Sequence, residues 1–108
     1  MDAVLRAIAE PRRRQIIRLI WSRELSAGEI ASHFDVTRPA VSQHLAVLKQ
    51  ANLVVERRER TRRLYRARHE RLAELVAFLE GFWDESLAAL KQAVEAEARE
   101  ERERGRPA

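Results

Sequence analysis

The sequence predicts a mainly α-helical fold carrying one β-hairpin, in the order α-α-α-α-β-β-α. Three observations lead to it. Ser26-Ala27-Gly28-Glu29 has the S-x-x-E form of a helix start, and a second start follows at Thr37-Arg38-Pro39. Residues 53–58 and 62–66 are rich in β-branched, aromatic and long side chains, with Glu59-Arg60-Thr61 between them. From His69, apolar residues recur at i, i+3, i+4 and i+7 over about six turns.

Residues 2–9 read as a short helix with Val4, Leu5 and Ile8 on one side. Glu10-Pro11 interrupts it, because proline suits a first helical turn and not a helix interior. The second helix covers residues 11–22, with Ile16, Ile17, Leu19 and Ile20 buried. Arg12, Arg13 and Arg14 stand at its start, where they oppose the helix dipole. They form either a solvated charged turn or a phosphate contact.

In the third helix, Leu25 and Ile30 flank the capping box as a hydrophobic staple, and Ile30, Ala31 and Phe34 supply an apolar face. The helix stops at Asp35-Val36. Thr37 then caps a helix over residues 38–51, with Asn52 as a left-handed C-terminal cap. Two short helices joined by a few residues, the second opening on small polar side chains, make a helix-turn-helix pattern. The hairpin turn contains no Gly or Asn. Gly81 lies inside the last helix, at a cost of roughly 1 kcal/mol against Ala. Residues 1–94 are expected to form one domain, and residues 95–108, which are dominated by Glu and Arg, a charged and disordered tail.

The net charge of +4 conceals an uneven distribution. Residues 1–51 hold eight basic and five acidic side chains, residues 52–71 eight and three, and residues 72–108 five and nine. A basic middle block beside an acidic end points to a local polyanion site. The chain has no cysteine, which removes disulfides and thiolate metal sites. No apolar run approaches the roughly 18 residues of a membrane span, and the start lacks a signal-peptide core, so a soluble, cytoplasmic, nucleoid-associated protein is expected. There is no cysteine nucleophile, no glycine-rich phosphate loop and no His–carboxylate set at catalytic spacing, which argues against an enzyme.

The helix over residues 38–51 carries the chemistry. Val41, Leu45 and Leu48 form its core stripe, so Ser42 and Gln43 lie outward, and a Gln there can bind adenine N6 and N7 together. Thr37, Arg38, Pro39 and His44 complete the candidate DNA contacts, Thr37 as both cap and phosphate ligand. His44 has three readings open: base contact, phosphate contact, or packing against the hairpin. Arg57, Arg58, Arg60, Arg62, Arg63, Arg66 and Arg68 concentrate charge on the hairpin, and alternation lets about half face one DNA backbone or minor groove. Of these, Arg58, Arg60, Arg62 and Arg63 are the candidate DNA contacts. Glu56 and Glu59 are too few to neutralise the cluster. The apolar stripe of the last helix exceeds what a small helix-turn-helix unit can cover. Leu75, Leu79, Phe82, Trp83, Leu87 and Leu90 are therefore expected to meet a second copy.

Ala9-Glu10-Pro11-Arg12-Arg13, Glu29-Ile30-Ala31, Val41-Ser42-Gln43-His44-Leu45, Leu48, Asn52-Leu53-Val54 and Tyr65 resemble the winged helix-turn-helix repressors of the ArsR/SmtB type over about residues 3–90. The resemblance implies a homodimeric transcription repressor, with the first helix (Val4, Leu5 and Ile8) and the last helix at the dimer interface and a DNA-flanking wing. The chain departs from that pattern in three places. Arg60 stands where the wing tip usually has Gly, residues 26–34 lack the cysteine metal motif, and the last helix has no His after His69. No metal or cofactor is therefore expected, and three scattered histidines do not make a site. Double-stranded DNA and a second copy are the expected partners, and no effector is identified. The competing readings are a metal-responsive repressor using His and carboxylates such as Asp84 and Glu85, and a winged-helix module that binds another protein.

Overall fold

The computed structural model describes residues 1–105. Its elements are α1 (Asp2–Ala9), α2 (Pro11–Leu19), α3 (Ala27–Ser32), α4 (Arg38–Gln50), β1 (Val54–Glu59), β2 (Arg62–Ala67) and α5 (His69–Arg104). The order is the expected one. The chain falls into two compact units, residues 1–75 and the residues from Val76 onward.

The first unit is built on a core contributed by every element within it. Val4 and Ala7 of α1, Ile16 and Ile20 around the end of α2, and Ile30 of α3 are fully buried with Val41, Leu45 and Leu48 of α4. Leu53, Val54, Leu64 and Ala67 extend the core under the hairpin, and Leu72 and Leu75 close it from the first turns of α5.

Local signals in the chain account for the helix ends. Glu10 accepts from the Arg12 N–H at 3.3 Å, and Pro11 occupies the first turn of α2. At α3 the capping box is complete: the Ser26 hydroxyl accepts from the Glu29 N–H at 3.2 Å, and Glu29 accepts from the Ser26 N–H at 3.1 Å. Thr37 caps α4 by accepting from the Ala40 N–H at 3.2 Å. Asn52 closes α4 with φ 63°. The Leu53 N–H donates to Leu48 O at 2.9 Å and the Asn52 N–H to Lys49 O at 3.0 Å, the two bonds of a Schellman motif, with Leu48 and Leu53 both buried.

The hairpin pairs β1 and β2 antiparallel from Val54–Ala67 to Glu59–Arg62, leaving Arg60 and Thr61 as a two-residue loop. Such loops require positive φ, and Arg60 supplies it at φ 57°. A further bridge joins Leu25 to Tyr65, with the Tyr65 N–H donating to Leu25 O at 2.8 Å and the Leu25 N–H to Tyr65 O at 3.1 Å. Leu25, expected as a staple residue, thus serves as a short third strand that ties the hairpin to the body.

Two expectations need correction. The second helix ends at Leu19 and not at residue 22, because Ile20 leaves helical geometry (φ −101°, ψ 19°) and turns the chain toward the bridge at Leu25. Residues 95–104, expected to be disordered, continue α5. Ala, Glu and Arg are strong helix formers, and Arg104 pairs with Glu100 one turn back at 3.5 Å. The remainder of that segment, residues 106–108, lies outside the described residues.

Two substitutions should raise thermal stability. A Cβ at Gly81 would meet no atom within 4 Å, so Gly81→Ala should gain roughly 1 kcal/mol from helix propensity. Arg60→Gly relieves the left-handed backbone and should gain about 0.5–1 kcal/mol after the entropy that glycine loses on folding. In thermal melts each should raise Tm by a few degrees. A lower Tm for Arg60→Gly would mean that the loop is not strained.

Candidate nucleic-acid interface

Because Val41, Leu45 and Leu48 turn inward, the opposite face of α4 presents Arg38, Pro39, Ser42 and Gln43 to solvent. Thr37 is exposed at the helix start with its hydroxyl engaged as the cap. A groove of about 300 Å³ runs between the start of α3, the start of α4 and the wing, lined by Ser26, Ala27, Arg38, Ser42, Thr61, Arg63 and Tyr65. The fold therefore brings Arg38 and Ser42 of α4 into one concavity with Arg63 of the hairpin.

The wing arginines divide into two groups. Arg57 donates to Glu24 at 2.9 Å and to Glu59 at 3.2 Å, Arg62 pairs with Glu29, and Arg63 lies 3.4 Å from Glu56, which also accepts from Lys49. Among the described residues, Arg58, Arg60 and Arg66 have no such pair. The carboxylates remain ionised. Glu24 is held below its ordinary range by the Arg57 hydrogen bond, Glu29 by the Ser26 N–H and Glu56 by the Lys49 ammonium. Glu24 likewise holds the Arg57 guanidinium above its ordinary value. Sequence reasoning missed the roles of Glu24 and Glu29. Each lies far along the chain from its arginine, and only the return of β2 against Leu25 and α3 brings them together.

His44, a candidate DNA contact, faces inward. Its Nδ1 lies 3.4 Å from Arg13 Nη1, and since guanidinium can only donate, Nδ1 is the acceptor and Nε2 carries the proton. Burial, followed by the charge of Arg13, pushes its pKa below 6.5. The ring belongs to the packing of α4 on α2 and not to the outward face.

The three arginines opening α2 are also accounted for. Arg13 donates to Ala7 O and, at 3.2 Å, to Arg6 O; Arg14 donates to Ile8 O at 2.7 Å and to Ala9 O at 3.0 Å. These are carbonyls of the last turn of α1, so the cations complement the negative end of that helix. Arg12 stacks over the Phe34 ring at 4.9 Å, a cation–π contact. The other two histidines are engaged separately. His33 Nδ1 meets Glu29 O at 2.9 Å, and His69 stacks on Trp21 with ring centroids 4.3 Å apart. Among the described residues, no three His, Asp or Glu side chains converge as a metal ion would require.

The apolar residues assigned to a second copy also divide. Val4 is fully buried and Leu75 is 5% exposed, so both are spent within the first unit and are removed from the interface set. Leu5 and Ile8 are half-buried. In the second unit Leu79 is half-buried, while Phe82, Trp83, Leu87 and Leu90 are each 54–59% exposed, beside Val76 and Val94. No helix among the described residues is long and apolar enough to cross a membrane.

This arrangement has counterparts among known proteins. The family model described as "Bacterial regulatory protein, arsR family" matches residues 10–55. The HTH-type transcriptional regulator Rv2034 of Mycobacterium tuberculosis is 41% identical over 96 residues, covering 89% of this chain and 90% of that protein. The chain belongs to the ArsR family of bacterial regulators. The transcriptional repressor SdpR of Bacillus subtilis is 41% identical over 59 residues, 55% of this chain and 66% of that one. Among solved structures, a possible transcriptional regulator for arsenical resistance superposes with TM-score 0.70 at 39% identity, covering 82% of this chain and 96% of that one. The homodimeric winged helix-turn-helix DNA-binding domain Mb0332 of Mycobacterium bovis superposes with TM-score 0.64 at 36% identity, covering 78% of each chain. As an ArsR-family winged helix-turn-helix protein, the chain is a DNA-binding transcription regulator and not an enzyme.

The neutral, inward His44 sets a pH dependence. Its folded pKa lies below the unfolded 6.5, so it contributes stability above that pH and loses it as pH falls through the folded value. Thermal melts between about pH 7.5 and pH 5 should show stability falling on the acid side, with a shallower fall in His44→Gln. Parallel profiles for the two proteins would remove His44 as the cause.

Proposed function

We infer that this ArsR-family regulator is a homodimeric transcription repressor of a pseudo-palindromic operator. In this reading α4 lies in the major groove and the arginine-rich wing lies on the backbone or in the minor groove. The observation that carries it is the groove joining Arg38 and Ser42 of α4 to Arg63 of the wing, flanked by exposed Gln43. Planar and hydroxyl side chains on the helix suit base edges, while guanidinium groups on the ribbon suit phosphates.

Dimerisation is supported by the large exposed side chains of α5. Phe82, Trp83, Leu87 and Leu90 lie within nine residues of one another along one helix, a concentration of apolar surface that a monomer has reason to cover. Two-fold pairing would set the reading helices roughly 34–36 Å apart, one turn of DNA. The Mycobacterium bovis neighbour is described as homodimeric, and SdpR is named a repressor, which is the sign of regulation proposed for this chain. A protein working on chromosomal DNA acts in the cytoplasm, at the nucleoid.

Two measurements test the reading. Selection of bound genomic fragments should return a two-fold-related motif, and Gln43→Ala should cost about 1–3 kcal/mol at one base pair of each half-site. Recovery of fragments without a shared motif would reduce the protein to a non-specific binder. Sedimentation should show a dimer at micromolar concentration, and Leu87→Glu with Leu90→Glu should yield a folded monomer with weakened operator binding. A wild-type monomer would refute the dimer.

A further inference from the structure

The wing's charge is partly cancelled by the protein itself. Of the six arginines in β1, β2 and their loop, Arg57, Arg62 and Arg63 are each paired with a carboxylate. Arg57 also meets Glu59, two residues on in β1, and the other three partners come from different places. Glu24 belongs to the segment before the Leu25 bridge, Glu29 to the first turn of α3, and Glu56 to β1 itself.

Glu56 is the most enclosed of the three, with its side chain 17% exposed. It accepts from Lys49 near the end of α4 and faces Arg63 across the hairpin, so one carboxylate spans the reading helix and both strands. Glu29 completes the capping box that starts α3 and also holds Arg62 of β2.

Stability does not explain these pairs. Exposed ion pairs contribute little to folding, and the hairpin is already anchored by the Leu25–Tyr65 bridge and by buried Val54, Leu64 and Ala67. What the carboxylates change is the field beside the DNA-facing groove. Phosphate contacts give affinity without sequence information, so an arginine shared with an internal carboxylate adds less to indiscriminate binding.

Building on the reading above, we propose that Glu24, Glu29 and Glu56 are specificity-setting, positioning residues. They hold Arg57, Arg62, Arg63 and Lys49 in fixed places and lower their pull on phosphate generally, leaving the base contacts of α4 to decide where the protein binds. Arg60, with Arg58 and Arg66, which form no ion pair among the described residues, supplies the remaining backbone attraction.

The test uses the full chain and two duplexes of equal length: one carrying a site selected from genomic fragments, the other its shuffled sequence. Affinities are measured over a salt series for wild type, for the triple variant Glu24→Gln, Glu29→Gln, Glu56→Gln, and for Glu56→Asp. Gln serves in a capping box as Glu does, so α3 should be retained, and a thermal melt checks the fold. The triple variant should bind the shuffled duplex roughly tenfold more tightly, with a salt slope steeper by about two to three units, since each phosphate neutralised adds about 0.9. Its preference for the selected site should fall, and Glu56→Asp should keep the wild-type slope. An unchanged slope, or an equal gain on both duplexes, overturns the proposal while leaving the DNA-binding reading intact. A wild-type chain that binds both duplexes alike overturns that reading and this one together.

Discussion

The burial of Val41, Leu45 and Leu48 is the constraint on which the rest depends. Three side chains at helical spacing can face the core in one rotation of α4 only, and that rotation decides what points outward. Arg38, Ser42 and Gln43 are exposed because the other side is committed, and His44 is drawn toward α2 because it borders the buried stripe. Thr37 and Asn52 set the length of the helix from its two ends, one by a side-chain cap and the other by a left-handed backbone. The surface proposed to meet DNA is in this sense a by-product of core packing with caps at fixed places.

The chain uses one residue type for three different physical tasks. Arg13 and Arg14 terminate α1 by donating to its last carbonyls, and Arg12 lies on an aromatic ring. Arg57, Arg62 and Arg63 pair with carboxylates, and Arg58 and Arg60 stand unpaired among the described residues. Net charge alone cannot separate these. A guanidinium with five donors in a fixed fork can bond carbonyls, carboxylates and phosphates, and the fold determines which acceptor is within reach.

That explains which parts of the molecule could be read from the sequence. Capping box, proline starts, left-handed Asn52, the α4 stripe and the apolar run of α5 are local patterns, and each stands where its spacing placed it. The order of elements follows from them. What escaped was every fact that depends on residues distant in the chain. The Leu25–Tyr65 bridge, the Glu24–Arg57 and Glu29–Arg62 pairs and the inward turn of His44 arise only when β2 and α2 pack on the helix-turn-helix. Val4 and Leu75 were misplaced for a related reason: periodicity marks an apolar face but not whether the same chain or another one covers it.

The hairpin tip shows how side-chain charge and backbone geometry compete at a single position. A two-residue loop between paired Glu59 and Arg62 forces positive φ, which glycine adopts freely and arginine adopts at a cost. Arg60 nevertheless stands there at φ 57°, and no carboxylate among the described residues pairs with it. Of its hairpin neighbours, Arg57 and Arg62 reach Glu24 and Glu29 of the body, Arg63 pairs with Glu56 of β1, and Arg58 and Arg66 form no ion pair among the described residues. The tip is the part of the hairpin furthest along its strands from the Leu25 bridge, so a cation there is free to meet an external anion. The tip cation Arg60 is therefore left available while Arg62, two residues on, is held by Glu29, and in the proposed reading Arg60 is the one free to meet a backbone phosphate.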